Sequence, residues 1–162
     1  MKKILIIMTA ALALVLVPLS LGAQTTANAE FQYLSFDIGY AMGWNFNGTG
    51  SQATPSLFGF NIRVTDKLSA GIQTLTEGTA TDNYLLLKYT FLPQVRATVG
   101  FGAQGTTPST PVSSIGFEVI PFSRSVGGLA ATEFKVAVKY DAPFSNLTSG
   151  KILFALAFGI GF

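Results

Sequence analysis

Lys151-Ile-Leu-Phe-Ala-Leu-Ala-Phe-Gly-Ile-Gly-Phe162 is the stretch that decides the fold. Ile152, Phe154, Leu156, Phe158, Ile160 and Phe162 are large and apolar. Lys151, Leu153, Ala155, Ala157, Gly159 and Gly161 between them are mostly small. Side chains alternate across a strand, so the segment has one greasy face and one nearly bare face. An apolar band on one side and an aromatic last residue suit the wall of a membrane-spanning β-barrel.

The same period of two recurs upstream. Leu34, Phe36, Ile38, Tyr40, Met42, Trp44 and Phe46 alternate with Ser35, Asp37, Gly39, Ala41, Gly43 and Asn45. Phe58, Phe60, Ile62 and Val64 mark a second strand over 56–65, and Asp66-Lys67 turns into a third over 68–77. A fourth is expected over 84–91, stopped by Pro93, and a fifth over 95–104. A sixth is expected over 113–120, ended by Pro121. Thr132, Phe134, Val136, Val138 and Tyr140 mark the seventh, and the terminal stretch is the eighth. The pattern predicts an all-β fold, an eight-stranded antiparallel up-and-down transmembrane β-barrel. Short turns are expected at one end and longer polar loops at the other, over 47–55, 78–83, 105–112 and 142–150. The segment 121–129 is long for a short turn, so strand seven can begin earlier than Thr132.

Composition sets the surroundings. Half of the chain is apolar (49%) and 11% is charged. Lys2 and Lys3 precede an apolar run from Ile4 to Val17, and Ala27-Asn28-Ala29 offers a small-residue cleavage site. Residues 1–29 therefore read as a cleaved secretory signal peptide, with a cut after Gly22 or Ala23 as the alternative, and 30–162 as the barrel. The formal charge of +2 belongs to the leader: without Lys2 and Lys3 the cations equal the eight Asp and Glu. Nothing in that balance points to nucleic acid. The absence of cysteine excludes disulfides and a lipidated N-terminal Cys.

Alternation alone leaves open whether the greasy face meets lipid or fills a soluble barrel. The other face decides between them, because it is largely Gly, Ala, Ser and Thr. It also carries the strand charges Asp37, Arg63, Glu77, Lys88, Arg96, Glu118, Glu133, Lys135, Lys139, Asp141 and Lys151. A Lys or Arg facing mid-bilayer costs about 2–4 kcal/mol, so lipid imposes this segregation.

With its signal, its amphipathic strands and Phe162 at the end, the chain resembles the small outer-membrane barrels of the OmpA, OmpX and OmpW type. The resemblance spans about 31–162. It implies a location in the outer membrane of a Gram-negative-type bacterium, with both termini periplasmic and outer-membrane lipid around a monomer. It further implies that Phe158, Ile160 and Phe162 form a signal read by the barrel-assembly machinery. No further domain is expected after the barrel.

Gly100-Phe-Gly-Ala-Gln-Gly105 matches a dinucleotide fingerprint only on paper, because its glycines sit within a strand rather than at a strand-to-helix turn. Asn47-Gly-Thr49 and Asn146-Leu-Thr148 read as turn chemistry. With no His or Cys, neither a His-based catalytic site nor a metal centre is expected, and no cofactor. The informative constellation is the inward charge set Asp37, Arg63, Lys88, Arg96, Glu118, Glu133 and Lys135. Buried charges must pair or reach water, which predicts a salt-bridge network crossing the lumen near the termini. Gly159 and Gly161 leave room for its long side chains. Above it, small residues suggest a water-filled vestibule, and a uniformly filled interior is the alternative. The functional expectation is a non-enzymatic envelope-structural barrel or a narrow pore for small solutes. The alternative is a surface adhesin acting through its loops, with Phe46, Asn47 and Phe144 exposed. A conduit for hydrophobic molecules is the third class, and it would need an apolar lumen.

Overall fold

The computed structural model describes residues 33–45, 55–105, 109–126 and 130–162. The leader, Phe46 and the 47–49 motif lie outside these. Eight strands pair antiparallel, each with its neighbours in sequence, and β1 (Leu34–Asn45) closes on β8 (Lys151–Gly161). Between them run β2 (Ser56–Arg63), β3 (Leu68–Glu77), β4 (Ala80–Leu92), β5 (Val95–Gln104), β6 (Thr110–Val126) and β7 (Ala130–Pro143). The fold is a closed all-β up-and-down barrel.

Closure removes both sheet edges, which otherwise leave unpaired backbone donors and acceptors. The β1–β8 seam runs from Ser35 opposite Gly161 to Asn45 opposite Lys151. The last residue extends it: the Tyr33 and Leu34 amides donate to the Phe162 carbonyl (2.8 and 3.2 Å), and the Phe162 amide donates to the Leu34 carbonyl (2.8 Å). Both ends of the barrel segment therefore lie at one rim, the terminal rim.

The wall is inverted relative to a water-soluble barrel. Ile38 (66% exposed) and Leu85 (59%) face out, while Asp37 (4%) and Lys88 (4%) face in. Outward rings contact one another along the wall, as in Phe36–Phe60 at 5.2 Å and Phe91–Phe117 at 6.4 Å between centroids.

Two expectations about boundaries are corrected. The sixth strand does not stop at Pro121 but continues to Val126. The β6–β7 register shifts between Val119 and Phe122, so Pro121 occupies a bulge, where a missing N–H costs no ladder bond. The long turn expected over 121–129 is thus mostly strand, and β7 starts at Ala130. Likewise, 78–83 is not a loop. β4 begins at Ala80, and Asp82 and Asn83 pair with Leu75 and Thr74. Gly78 and Thr79 alone make the turn, with Gly78 at φ 59°. Glycine suits the first position of a two-residue hairpin turn that needs positive φ.

Gly78→Ala is expected to lower barrel stability by about 1 kcal/mol through that strain, read as a shift of the urea unfolding midpoint. The same change at Gly59, which has an extended backbone, tests instead the space beside Asp37, since an added Cβ would lie 3.2 Å from the Asp37 Cβ.

The charged lumen as candidate functional site

Inward positions near the terminal rim bring six charges together in a closed ring. Asp37 Oδ1 meets Lys135 Nζ at 2.7 Å, and Lys135 Nζ meets Glu133 Oε2 at 3.0 Å. Glu133 Oε1 accepts from Arg96 Nη2, and Arg96 Nη1 donates to Glu118 Oε1, both at 3.2 Å. Glu118 Oε2 meets Lys88 Nζ at 3.0 Å, and Lys88 returns to Asp37 Oδ2 at 3.7 Å. Signs alternate around the ring. Each carboxylate uses both oxygens on two different cations, so no charge is left with a single partner. Lys135, Asp37, Lys88, Glu118 and Glu133 are buried, and Arg96 is the most exposed member at 19% of its side chain.

The strands explain the placement. β1, β4, β5, β6 and β7 each supply ring members, with Glu133 and Lys135 adjacent on the inward face of β7. β2 adds Asn61, whose Nδ2 donates to Asp37 Oδ2 at 3.0 Å. β8 contributes empty space: a Cβ on Gly159 would lie 2.7 Å from Asp37 Oδ1 and 3.0 Å from Lys135 Nζ.

Arg63, expected in this set, is elsewhere. Its Nε and Nη2 donate to the Thr65 and Asp66 carbonyls (3.1 and 2.8 Å), so it braces the β2–β3 turn. Both acceptors lie only two and three residues further along the chain. Phe158, Ile160 and Phe162 lie on the outer wall at the terminal rim, exposed.

Above the ring, the expected vestibule is filled. Leu57, Leu75, Leu86, Val112 and Leu153 meet Ala41, Ala137, Ala155 and Ala157 in a buried apolar layer. Sequence reading misses Leu57 and Tyr84, although their parity with Asn61 and with Lys88 puts both inside. Tyr84 organises a second polar group nearer the loops. Its hydroxyl donates to Asp141 Oδ2 at 2.7 Å and accepts from Gln104 Nε2 at 3.0 Å. At the mouth Lys151 Nζ reaches Asp82 Oδ2 at 2.8 Å, and the Gly105 amide donates to Asp82 Oδ1 at 2.9 Å.

Lys139 differs from the ring cations. It is 5% exposed and makes no ion pair among the described residues, and its Nζ lies 5.8 Å from the Tyr84 ring centroid. Its cross-strand neighbour is Gly116, which in turn faces Thr98. Thr98 Oγ1, Ser114 Oγ and Asp141 Oδ1, near it on β5 to β7, have no hydrogen-bond partner among the described residues. A cation-π contact is worth about 0.5–2 kcal/mol, less than the several kcal/mol that burying an ion costs.

Two chemically identical substitutions should therefore separate. Lys135→Met opens the ring and is expected to destabilise by about 3–5 kcal/mol. Lys139→Met removes a charge with no ion-pair partner and is expected to leave stability unchanged or raise it. Urea unfolding of both in one detergent or vesicle system reads the contrast, and equal losses would mean that the ring has no special weight.

No protein-family model matches the chain, and no curated protein matches it. Among solved structures it is similar to a barrel described under "De novo design of transmembrane beta-barrels", at 15% identity and TM-score 0.46, covering 77% of this chain and 94% of that one. It is also similar to Ail, the attachment invasion locus protein of Yersinia pestis, at 9% identity and TM-score 0.40, covering 81% of this chain and 98% of that one. Eight antiparallel strands in chain order, closed first to last, make this protein a small up-and-down β-barrel, with the ionic ring at one end of its lumen.

Proposed function

We propose that this chain is a non-enzymatic integral barrel of a bacterial outer membrane with a closed lumen and an envelope-structural role. The observation that carries the reading is the inverted wall: apolar side chains run around the outside while the ion pairs lie inside. Soluble monomers rarely expose a contiguous apolar patch beyond a few hundred Å², and a belt around the whole barrel is unsuited to water. Lipid on the outside gives it a partner.

The filled interior favours structure over transport. The ring and the leucine layer above it occupy the lumen in succession, and small barrels are commonly filled by their side chains. Phe144, the described member of the exposed loop set, stacks on Phe101 with centroids 6.0 Å apart. That contact rests Phe144, itself 51% exposed, against the wall. Both termini are periplasmic in this reading, and outer-membrane lipid is the standing partner of a monomer. Phe158, Ile160 and Phe162 are the residues offered to the assembly machinery during biogenesis.

Refolded protein with heat-modifiable gel mobility is expected to be silent in planar bilayers at high salt, and discrete conductance steps from the wild type would overturn the closed lumen. Leu156→Arg, on the outer wall of β8, is expected to cost about 2–4 kcal/mol in vesicles. A barrel indifferent to that change would not be embedded there.

A further inference from the structure

The outer wall is not equally tall all round. On β8 every outward side chain from Ile152 to Ile160 is apolar, and on the adjoining β1 the same holds from Leu34 to Met42. On the opposite flank the apolar rungs stop early. β3 is apolar outward only as far as Ile72, and β4 only down to Leu85 from the terminal rim. The next two outward rungs are Thr74 opposite Asn83 and Thr76 opposite Thr81. Ser56 of β2 pairs with Thr76 and continues the patch.

These polar groups are outside the lumen and level with apolar wall elsewhere. Asn83 is exposed, and its Oδ1 accepts from Thr74 Oγ1 at 2.9 Å on the outer surface. The Ser56 hydroxyl donates to the Thr76 carbonyl at 3.2 Å. The Asp82–Lys151 pair, 2.8 Å across the mouth, joins the residue between Thr81 and Asn83 to the residue next to Ile152. Polar rungs on one flank thus face the height that isoleucine and phenylalanine hold on the other. Two rungs span four residues, about 13 Å of strand and roughly 10 Å of axial height at the usual strand tilt.

A tilted barrel does not account for this. Tilt would lower the apolar boundary of one flank at both ends. At the terminal rim the short flank still carries Leu68, Tyr89 and Phe91, matching Leu34 and Ile160 on the tall flank. Height is missing from the loop end alone.

Taking the barrel as membrane-embedded, the reading on which this inference rests, we propose that Ser56, Thr74, Thr76, Thr81 and Asn83 form a lipid-headgroup contact surface, over which the loop-end leaflet is locally thinned. Hydroxyl and amide groups there hydrogen-bond headgroup and glycerol oxygens that descend along the wall, as a short hydrophobic span requires of its bilayer. The flank of β1 and β8 meets acyl chains to full height.

The test is intermolecular NOE spectroscopy of the wild-type barrel in phosphatidylcholine nanodiscs. Asn83 side-chain amide protons are expected to contact choline and glycerol protons, while Ile152 and Phe154 contact acyl methylenes. Methylene contacts at Asn83 equal to those at Ile152 would overturn the proposal and leave the membrane reading intact. Protein–protein contacts at Asn83 would overturn it in favour of a second copy of the chain. Absence of acyl contacts at Ile152 would sink the membrane reading itself and this surface with it. As a second readout, Thr74→Leu/Asn83→Leu is expected to move the acyl length giving the highest folding yield from shorter to longer chains. An unchanged optimum in a variant that folds counts against thinning.

Discussion

Three carboxylates and three cations that close on themselves inside a narrow sheet set the terms for the rest of the molecule. Charge has no place on a wall of Phe, Ile and Leu, so it goes inward. There, buried, it must be paired. A linear chain of ion pairs would leave an end group with one partner. Closing Lys88 back onto Asp37 removes both ends. Around that requirement the neighbouring residues fall into place: glycine on β8 for room, Asn61 on β2 for the remaining carboxylate lone pair, and long side chains from β4 to β7 that extend toward Asp37 on β1.

The interior is layered because the ring occupies one level only. Aliphatic side chains fill the middle, and Tyr84, Asp141 and Gln104 restore polarity toward the loops. Lys139 sits between these regimes, covered by neither a carboxylate nor apolar packing alone, among hydroxyls that make no hydrogen bond within the described protein. It marks the least settled level of the lumen. The apolar layer contributes through burial in the ordinary way, at about 25 cal/mol per Å², whereas the ring contributes mainly by making its own removal costly.

Much of this is legible in the sequence, for a physical reason. An apolar outer wall on one side and a narrow lumen on the other impose a strict period of two, so the inward parity of Asp37, Lys88, Arg96, Glu118, Glu133 and Lys135 can be read residue by residue. What parity cannot show is lateral register. That is why Arg63 looks like a member of the set, although the turn beside it offers nearer acceptors. Pro121 looks like a strand end because proline usually interrupts a ladder, and only the pairing with β7 shows the bulge that accommodates it. Thr81, Asp82 and Asn83 look like loop because their side chains are polar, but one side of that stretch faces a lumen cation and the other side faces outward. The expected vestibule fails for a related reason. Glycines on several strands suggest space, but Leu57, Leu86 and Tyr84 reach into it from others, and filling is a property of the assembled cross-section.

The wide spacing of the ring members along the chain also bears on biogenesis. Asp37 and its closest partner Lys135 are 98 residues apart in sequence, and β7 can reach β1 only once the sheet has curled shut. Until then the run from Lys88 through Glu118, Arg96 and Glu133 to Lys135 can form within β4–β7, while Asp37 on β1 lacks both its cations. Only the closed cylinder brings Asp37 to Lys135 and Lys88 and completes the ring. Ring completion and barrel closure are thus one event, and the ring works as a latch across the cylinder, holding β1 to β4 and β7 near the terminal rim.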